Sequence, residues 1–189
     1  ARRTYADVFL KLSRDEDLRN NQLFFYDINA KVNWRISDKD RLYASGYFGR
    51  DVFRFGDEFF TEWGNATATL RWNHLFSDKL FKNTTFIFSK FNYSLGVPDG
   101  VNAFDWDADI QDFSLKQDYA WYLNPDITMK WGFLAIHHKF NPGSVVPTGS
   151  ESETIFNPFI IPAKRAVEGA AYFSMEQKLG KVVTLQYGL

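Results

Sequence analysis

The chain contains no cysteine, so neither a disulfide framework nor a thiolate metal site is open to it. It also lacks an excess of either charge. Its 22 basic and 23 acidic side chains leave a net charge of −1, which gives no electrostatic footprint for nucleic acid. No apolar run approaches the ~18–20 residues a membrane-crossing helix needs, the longest lying around Trp131 to Ile136. The metalloprotease H-E-x-x-H, the nucleophile elbow G-x-S-x-G and the phosphate-cradling glycine loop are all missing, so no enzyme and no cofactor is expected. Ala1-Arg2-Arg3-Thr4 has no apolar core of the kind a secretory signal carries, and the far end stops inside a strand-like run. A segment cut from a longer polypeptide is the expectation.

What the chain does have is aromatic residues: 20 Phe, 9 Tyr and 6 Trp, within an ordinary 45% apolar content. Their arrangement has period two rather than 3.6. From 26 to 36, Tyr26, Ile28, Ala30, Val32, Trp34 and Ile36 alternate with Asp27, Asn29, Lys31, Asn33 and Arg35. The pattern returns at 64–73, 112–121 and 167–176, and less cleanly near 4–12, 41–49, 81–93 and 127–138; a ninth strand begins at 182. Helix is expected only at Ser13-Arg14-Asp15-Glu16, which has the form of a capping box. Short turns at Ser37–Asp40, Ser77–Lys79, Asn124–Asp126 and Leu179–Lys181 alternate with long irregular segments at about 13–22, 50–63, 94–109 and 140–164. The chain therefore reads as an antiparallel meander with short turns at one end and long loops at the other.

Strands of about ten residues rise roughly 33 Å, and a 45° tilt projects this to about 23 Å, close to the apolar band of an outer-membrane barrel. Trp34, Trp72, Trp121 and Trp131 fall on the apolar phase close to the short turns, where a barrel places its membrane-interface girdle. The other phase carries Asp27, Lys31, Arg35, Arg71, Asp112, Lys116, Asp118, Lys130, Glu168 and Glu176, as a wet lumen would. The solvated outer face of a soluble sheet is the competing explanation. Against it stand Gly64, Ala66, Ala68, Gly169 and Ala171 on the apolar phase, which would fill a core poorly. Eight to nine strands do not make the whole molecule, because an open sheet would leave unpaired backbone groups in hydrocarbon.

Arg2-Arg3-Thr4-Tyr5-Ala6-Asp7, Phe25 to Lys31, Ser37 to Tyr43, Ser45 to Asp51, Trp63 to Thr67, Arg71 to His74 and His138 to Gly143 together resemble the barrel of TonB-dependent outer-membrane receptors. The resemblance covers most of 2–143. It implies an all-β fold in which residues 1–189 are one segment of a transmembrane β-barrel, a 22-stranded one, with the plug domain and remaining strands absent. It further implies an integral protein of a Gram-negative outer membrane that imports a scarce nutrient such as a metal chelate, vitamin or oligosaccharide. The implied partners are outer-membrane lipid and lipopolysaccharide, the rest of the barrel and plug, TonB indirectly through that plug, and a surface lipoprotein. A passive porin-like or adhesive barrel, and a secreted aromatic-rich carbohydrate-binding β-sandwich, stay open as alternatives.

Ligand contacts are expected in the long segments. Arg50, Phe53, Arg54 and Phe55 interleave cations with rings, which suits an anionic chelate or a sugar, or else a hairpin whose arginines meet solvent or lipopolysaccharide. Asp105, Asp107 and Asp109 resemble the start of a calcium loop, but Ile110 and Lys116 stand where glycine and the bidentate glutamate belong. No metal site is assigned, and a solvated acidic loop is expected instead. His137 and His138 are adjacent and so point to opposite faces of a strand, where they cannot chelate together. Asn157 to Pro162 is an apolar loop suited to docking on a partner or packing on neighbouring loops.

Overall fold

The computed structural model describes residues 1–149 and 157–189. After a two-residue strand β1 (Arg2–Arg3) come two short helices, α1 (Ala6–Lys11) and α2 (Glu16–Arg19). The rest is strand: β2 (Gln22–Arg35), β3 (Asp40–Phe55), β4 (Phe59–Leu75), β5 (Leu80–Val97), β6 (Phe104–Asn124), β7 (Ile127–Pro147), β8 (Phe159–Ile160), β9 (Lys164–Leu179) and β10 (Val183–Gly188). All ladders are antiparallel. The order is sequential from β1 to β7, then β9 and β10, with β8 paired to β7 off that path. The ladder stays open, with β1 at one end and β10 at the other. This is the expected meander.

The wall is one layer thick. Substantial contacts between elements are those of ladder neighbours, joined only by α1 against β2 and α2. Among the described apolar residues only Val52, Ala103 and Ala120 are buried, so a chain that is 45% apolar has no core. It exposes 12997 Å², whereas a compact monomer of 22.0 kDa exposes about 9,300 Å². A β-sandwich needs a second sheet over the apolar side, and none covers it among the described residues.

Register fixes what shares a side. Ala30 faces Gly46, Gly46 faces Ala68, Ala68 faces Phe88, Phe88 faces Phe113, and Phe113 faces His137, which faces Val167. One step along, Lys31, Ser45, Thr69, Ile87, Ser114, Ile136 and Glu168 form the matching row on the opposite side. Crowding distinguishes the two. On the apolar side even the small Ala30, Ala44, Gly46, Ala68 and Ala135 are exposed, while Ser45, Thr67, Thr69, Ser89 and Ser114 on the polar side are half-buried. Side chains splay apart on the convex side of a curved sheet and converge on the concave side. The apolar face is therefore convex and the charged face lines the hollow.

Two expectations are corrected. The segment 4–12 is not a strand: Val8, Phe9 and Leu10 are contiguous rather than alternating, and 6–11 coils into α1. Arg3 pairs with Asp7 at 3.0 Å, and Asp7 and Lys11 sit at the helix ends that favour their charges. Asp15 caps α2 by accepting from the Asp17 amide at 3.0 Å, which starts that helix at Glu16, the last residue of 13–16, rather than at its beginning. The long irregular segments are the second correction. Of these, 50–63 and 94–109 are largely strand: β3 and β4 meet across a tight turn at 56–58, and β5 and β6 across 98–103. Of 140–164, residues 150–156 lie outside the described residues, and the remainder contributes to β7, β8 and β9.

Candidate functional site

The strands outrun the apolar band. On β6 the convex apolar positions end at Phe113, yet the strand continues back to Phe104, which adds roughly 30 Å along its length. In these extensions the two sides exchange character. On β6, Phe113, Leu115, Tyr119 and Trp121 are convex; beyond them the convex positions become Gln111, Asp109, Asp107 and Asp105, while Ile110, Ala108, Trp106 and Phe104 occupy the hollow.

The same exchange occurs in the neighbouring strands. Apolar positions step by three instead of two from Trp63 to Ala66, Phe88 to Phe91 and Ile110 to Phe113, and on β7 Phe140 lies three beyond the convex His137; on β2, Phe25 and Leu23 take the concave side while Tyr26 and Phe24 keep the convex side apolar. The step on β4 lies one register row away from that on β5, β6 and β7, as expected for a level boundary crossing tilted strands.

The result is an aromatic mouth on the concave side, above a charged wall. Phe91, Tyr93, Trp106, Ile110, Phe140 and Pro142 enclose a cavity of about 390 Å³. Tyr93 meets Trp106 edge to face with centroids 6.3 Å apart. Gly143 seats the indole. Its φ of +130° is one that residues with a Cβ rarely adopt, and a Cβ there would overlap Trp106 Nε1. Phe53 lies across from Leu23 and Thr61 on this same concave side, and its ring packs 5.6 Å from that of Phe59; Phe55 stands at 6.2 Å from Phe59.

The four expected ligand contacts are therefore divided by the wall. Phe53 and Phe55 face the hollow, while Arg50 and Arg54 point out from the convex side. Arg50 is held by Glu62, and that hydrogen bond raises its pKa above the ordinary arginine value. Arg54 lies over the Phe60 ring at 5.3 Å. Asp105, Asp107 and Asp109 are not a loop: they alternate on β6 and share the convex side. Burial, then repulsion from Asp107, raises the Asp105 pKa above the usual carboxylate range, and Asp107 accepts from Ser94 Oγ. Among the described residues no group of three His, Asp or Glu could hold a metal ion.

The tryptophans of the short-turn end all lie on the convex side. Trp34 and Trp72 flank Leu42 in one row, Trp121 faces Leu80, and Trp131 stacks on Tyr119 at 5.3 Å and 3°. Asp40, beyond the apolar band at the first turn, accepts from Trp72 Nε1 at 2.9 Å and Ser37 Oγ at 2.8 Å and lies 2.7 Å from His74 Nδ1. These contacts, His74 foremost, pull its pKa down to about 2. His137 and His138 divide as expected. His137 sits on the convex side, while His138 faces the hollow 2.7 Å from Asp112, with Glu168 at 3.7 Å. Phe159 and Ile160 of the apolar 157–162 segment add to β7, and the Ile161 amide donates to Gly143 O at 3.1 Å.

No family model matches the chain, and no curated protein sequence matches it significantly. Solved structures do. The chain superposes on the ferric-catecholate import receptor Fiu from E. coli K12 with a TM-score of 0.66 at 8% identity, covering 89% of this chain and 35% of that one. The copper transporter OprC gives 0.65 at 12% identity, with 89% and 28% covered. The ferric yersiniabactin uptake receptor FyuA from Yersinia pestis gives 0.59 at 12%, with 83% and 26% covered. The fold is thus that of a section of the antiparallel β-barrel wall of these structures. This chain spans only about a quarter to a third of the length of those proteins.

Proposed function

We propose that the chain is part of the barrel wall of an outer-membrane receptor that imports a scarce nutrient, with its short turns in the periplasm and its strand extensions outside the cell. The exchange of apolar and polar sides along β5, β6 and β7 carries this reading. Below the exchange, an apolar convex side suits lipid and a charged concave side suits a wet lumen. Above it, the polar convex side suits water, and the aromatic concave side is free to receive a ligand. Trp34, Trp72, Trp121 and Trp131 then form the periplasmic interface girdle.

The concave mouth offers ring faces and few charges, so a ligand with planar or ring-shaped apolar faces fits it better than a compact anion. Metal chelates with aromatic arms, vitamins and oligosaccharides share that character. Phe53, Phe55 and Trp106 are assigned to the ligand. Energy from TonB enters through a plug on another part of the polypeptide. A passive pore differs in needing no TonB. The test is uptake by cells that express the complete protein on a single limiting ferric chelate, cobalamin or oligosaccharide, with TonB present or deleted. TonB-dependent growth on one nutrient, weakened by Trp106→Ala, is expected; growth indifferent to TonB would favour the passive pore.

A further inference from the structure

The run from Arg50 to Phe55 on β3 alternates across the wall, and the side it turns to the mouth has the opposite sign from the one its arginines suggest. Arg50, Val52 and Arg54 are convex, while Asp51, Phe53 and Phe55 are concave. Asp51 stands in one register row with Phe25 of β2 on one flank and Trp63 of β4 on the other, and Tyr93 of β5 follows Trp63. Cross-strand partners lie about 4.5–5.5 Å apart at Cβ, so the carboxylate has a ring within reach on each side. Phe53, two residues along β3, adds a ring on the same side. Phe25 and Trp63 are 40% and 39% exposed, so both rings are open to the hollow.

The carboxylate is also unanswered. Among the described residues Asp51 has no ion-pair partner. Its neighbours in sequence are engaged across the wall, Arg50 by Glu62 and Arg54 over the Phe60 ring. On the concave side Arg2 pairs with Asp27 at 2.7 Å, and Lys164 stands away on β9 opposite Phe140.

We propose that Asp51, Phe25 and Trp63 form a subsite for an organic ammonium group carried by the solute that enters the mouth. The inference rests on the import reading above and adds a positive charge to the ring-faced ligand proposed there. A carboxylate between ring faces favours a large, weakly hydrated cation, because the rings present their negative faces and the acid supplies the counter-charge. A calcium-type ion instead takes about six to eight oxygen ligands, which one carboxylate among rings does not provide.

The test uses the complete protein, purified in detergent and titrated by ligand-observed NMR. The probes are choline and dimethylbutanol, its uncharged isostere with carbon in place of the ammonium nitrogen. Wild-type protein is expected to bind choline on the order of tenfold more tightly than the isostere. Asp51→Asn is expected to weaken choline by about fivefold and leave the isostere unchanged. Phe25→Leu and Trp63→Leu should each weaken choline by about twofold to fivefold. Asp107→Asn, which removes an acid from the convex side, should keep it. If Asp51→Asn does not assemble, the two ring variants and the wild-type comparison decide. Equal binding of the two probes by wild-type protein, or equal effects of Asp51→Asn and Asp107→Asn, overturns the subsite. So does wild-type protein that binds neither probe, the result expected if a lysine elsewhere in the polypeptide occupies Asp51. TonB-dependent uptake without a choline preference overturns the subsite alone, whereas a choline preference without TonB-dependent uptake overturns only the import reading.

Discussion

Arg50 and Phe53 are three residues apart on β3 and stand on opposite sides of the wall, the cation on the convex side against Glu62 and the ring on the concave side beside Phe59. A sequence motif that reads as one cluster of cations and rings is therefore two surfaces with different neighbours. Phe53→Ala and Trp106→Ala are expected to weaken binding of the ligand proposed for the concave mouth by a few-fold to about tenfold each, the range for losing one ring contact. Arg50→Gln is expected to leave it unchanged. Isothermal titration of the purified protein checks this, and a larger loss in Arg50→Gln than in Phe53→Ala would reassign the ligand to the convex side.

Gly143 and Gly100 both have positive φ, +130° and +91°, but differ in what surrounds them. A Cβ at Gly100 meets open space, whereas one at Gly143 meets the Trp106 indole. Both alanine variants carry backbone strain of about 1–3 kcal/mol. Only Gly143→Ala is expected to displace the indole as well, seen as a red shift in tryptophan emission and weaker ligand binding. Identical spectra for the two variants would mean that Gly143 does not seat Trp106.

The Asp40 carboxylate ties Trp72, Ser37 and His74 together, and its pKa in the fold is about 2 against an ordinary 3.8. A lowered pKa means that the anchoring is fully present above the ordinary value and fades as pH falls toward the folded one. The Trp72 indole N–H resonance in detergent micelles is expected to titrate with a midpoint near 2. Asp40→Asn should abolish that titration. A midpoint at the ordinary 3.8 would show that these hydrogen bonds do not hold the carboxylate in its charged form.

The meander, the short turns and the convex greasy side were legible in the sequence because alternation with period two survives wherever one side of a strand meets apolar surroundings. Ala30 and Asn29 are assigned to their sides by that rule alone. The extensions were not legible for a related reason. Alternation continues from Phe104 to Ile110, but in the opposite phase to Phe113 onward, so a single-phase reading ends the strand at the exchange and leaves Asp105, Asp107 and Asp109 looking like a loop. The three-residue step between Ile110 and Phe113, repeated on the neighbouring strands, was the available signal. The position of α1 follows instead from contiguous Val8, Phe9 and Leu10, whose lack of alternation already argued against a strand.

Ala30 and Asn29 test the facing most directly, being adjacent on β2 and turned to opposite sides. Arginine at a lipid-facing position near the middle of a barrel's apolar band costs about 2–4 kcal/mol, whereas a lumen-facing position tolerates it. Urea unfolding of the complete protein in lipid vesicles is therefore expected to show a loss of this size for Ala30→Arg and little change for Asn29→Arg. Equal losses, or a greater loss for Asn29→Arg, would contradict a convex side covered by hydrocarbon.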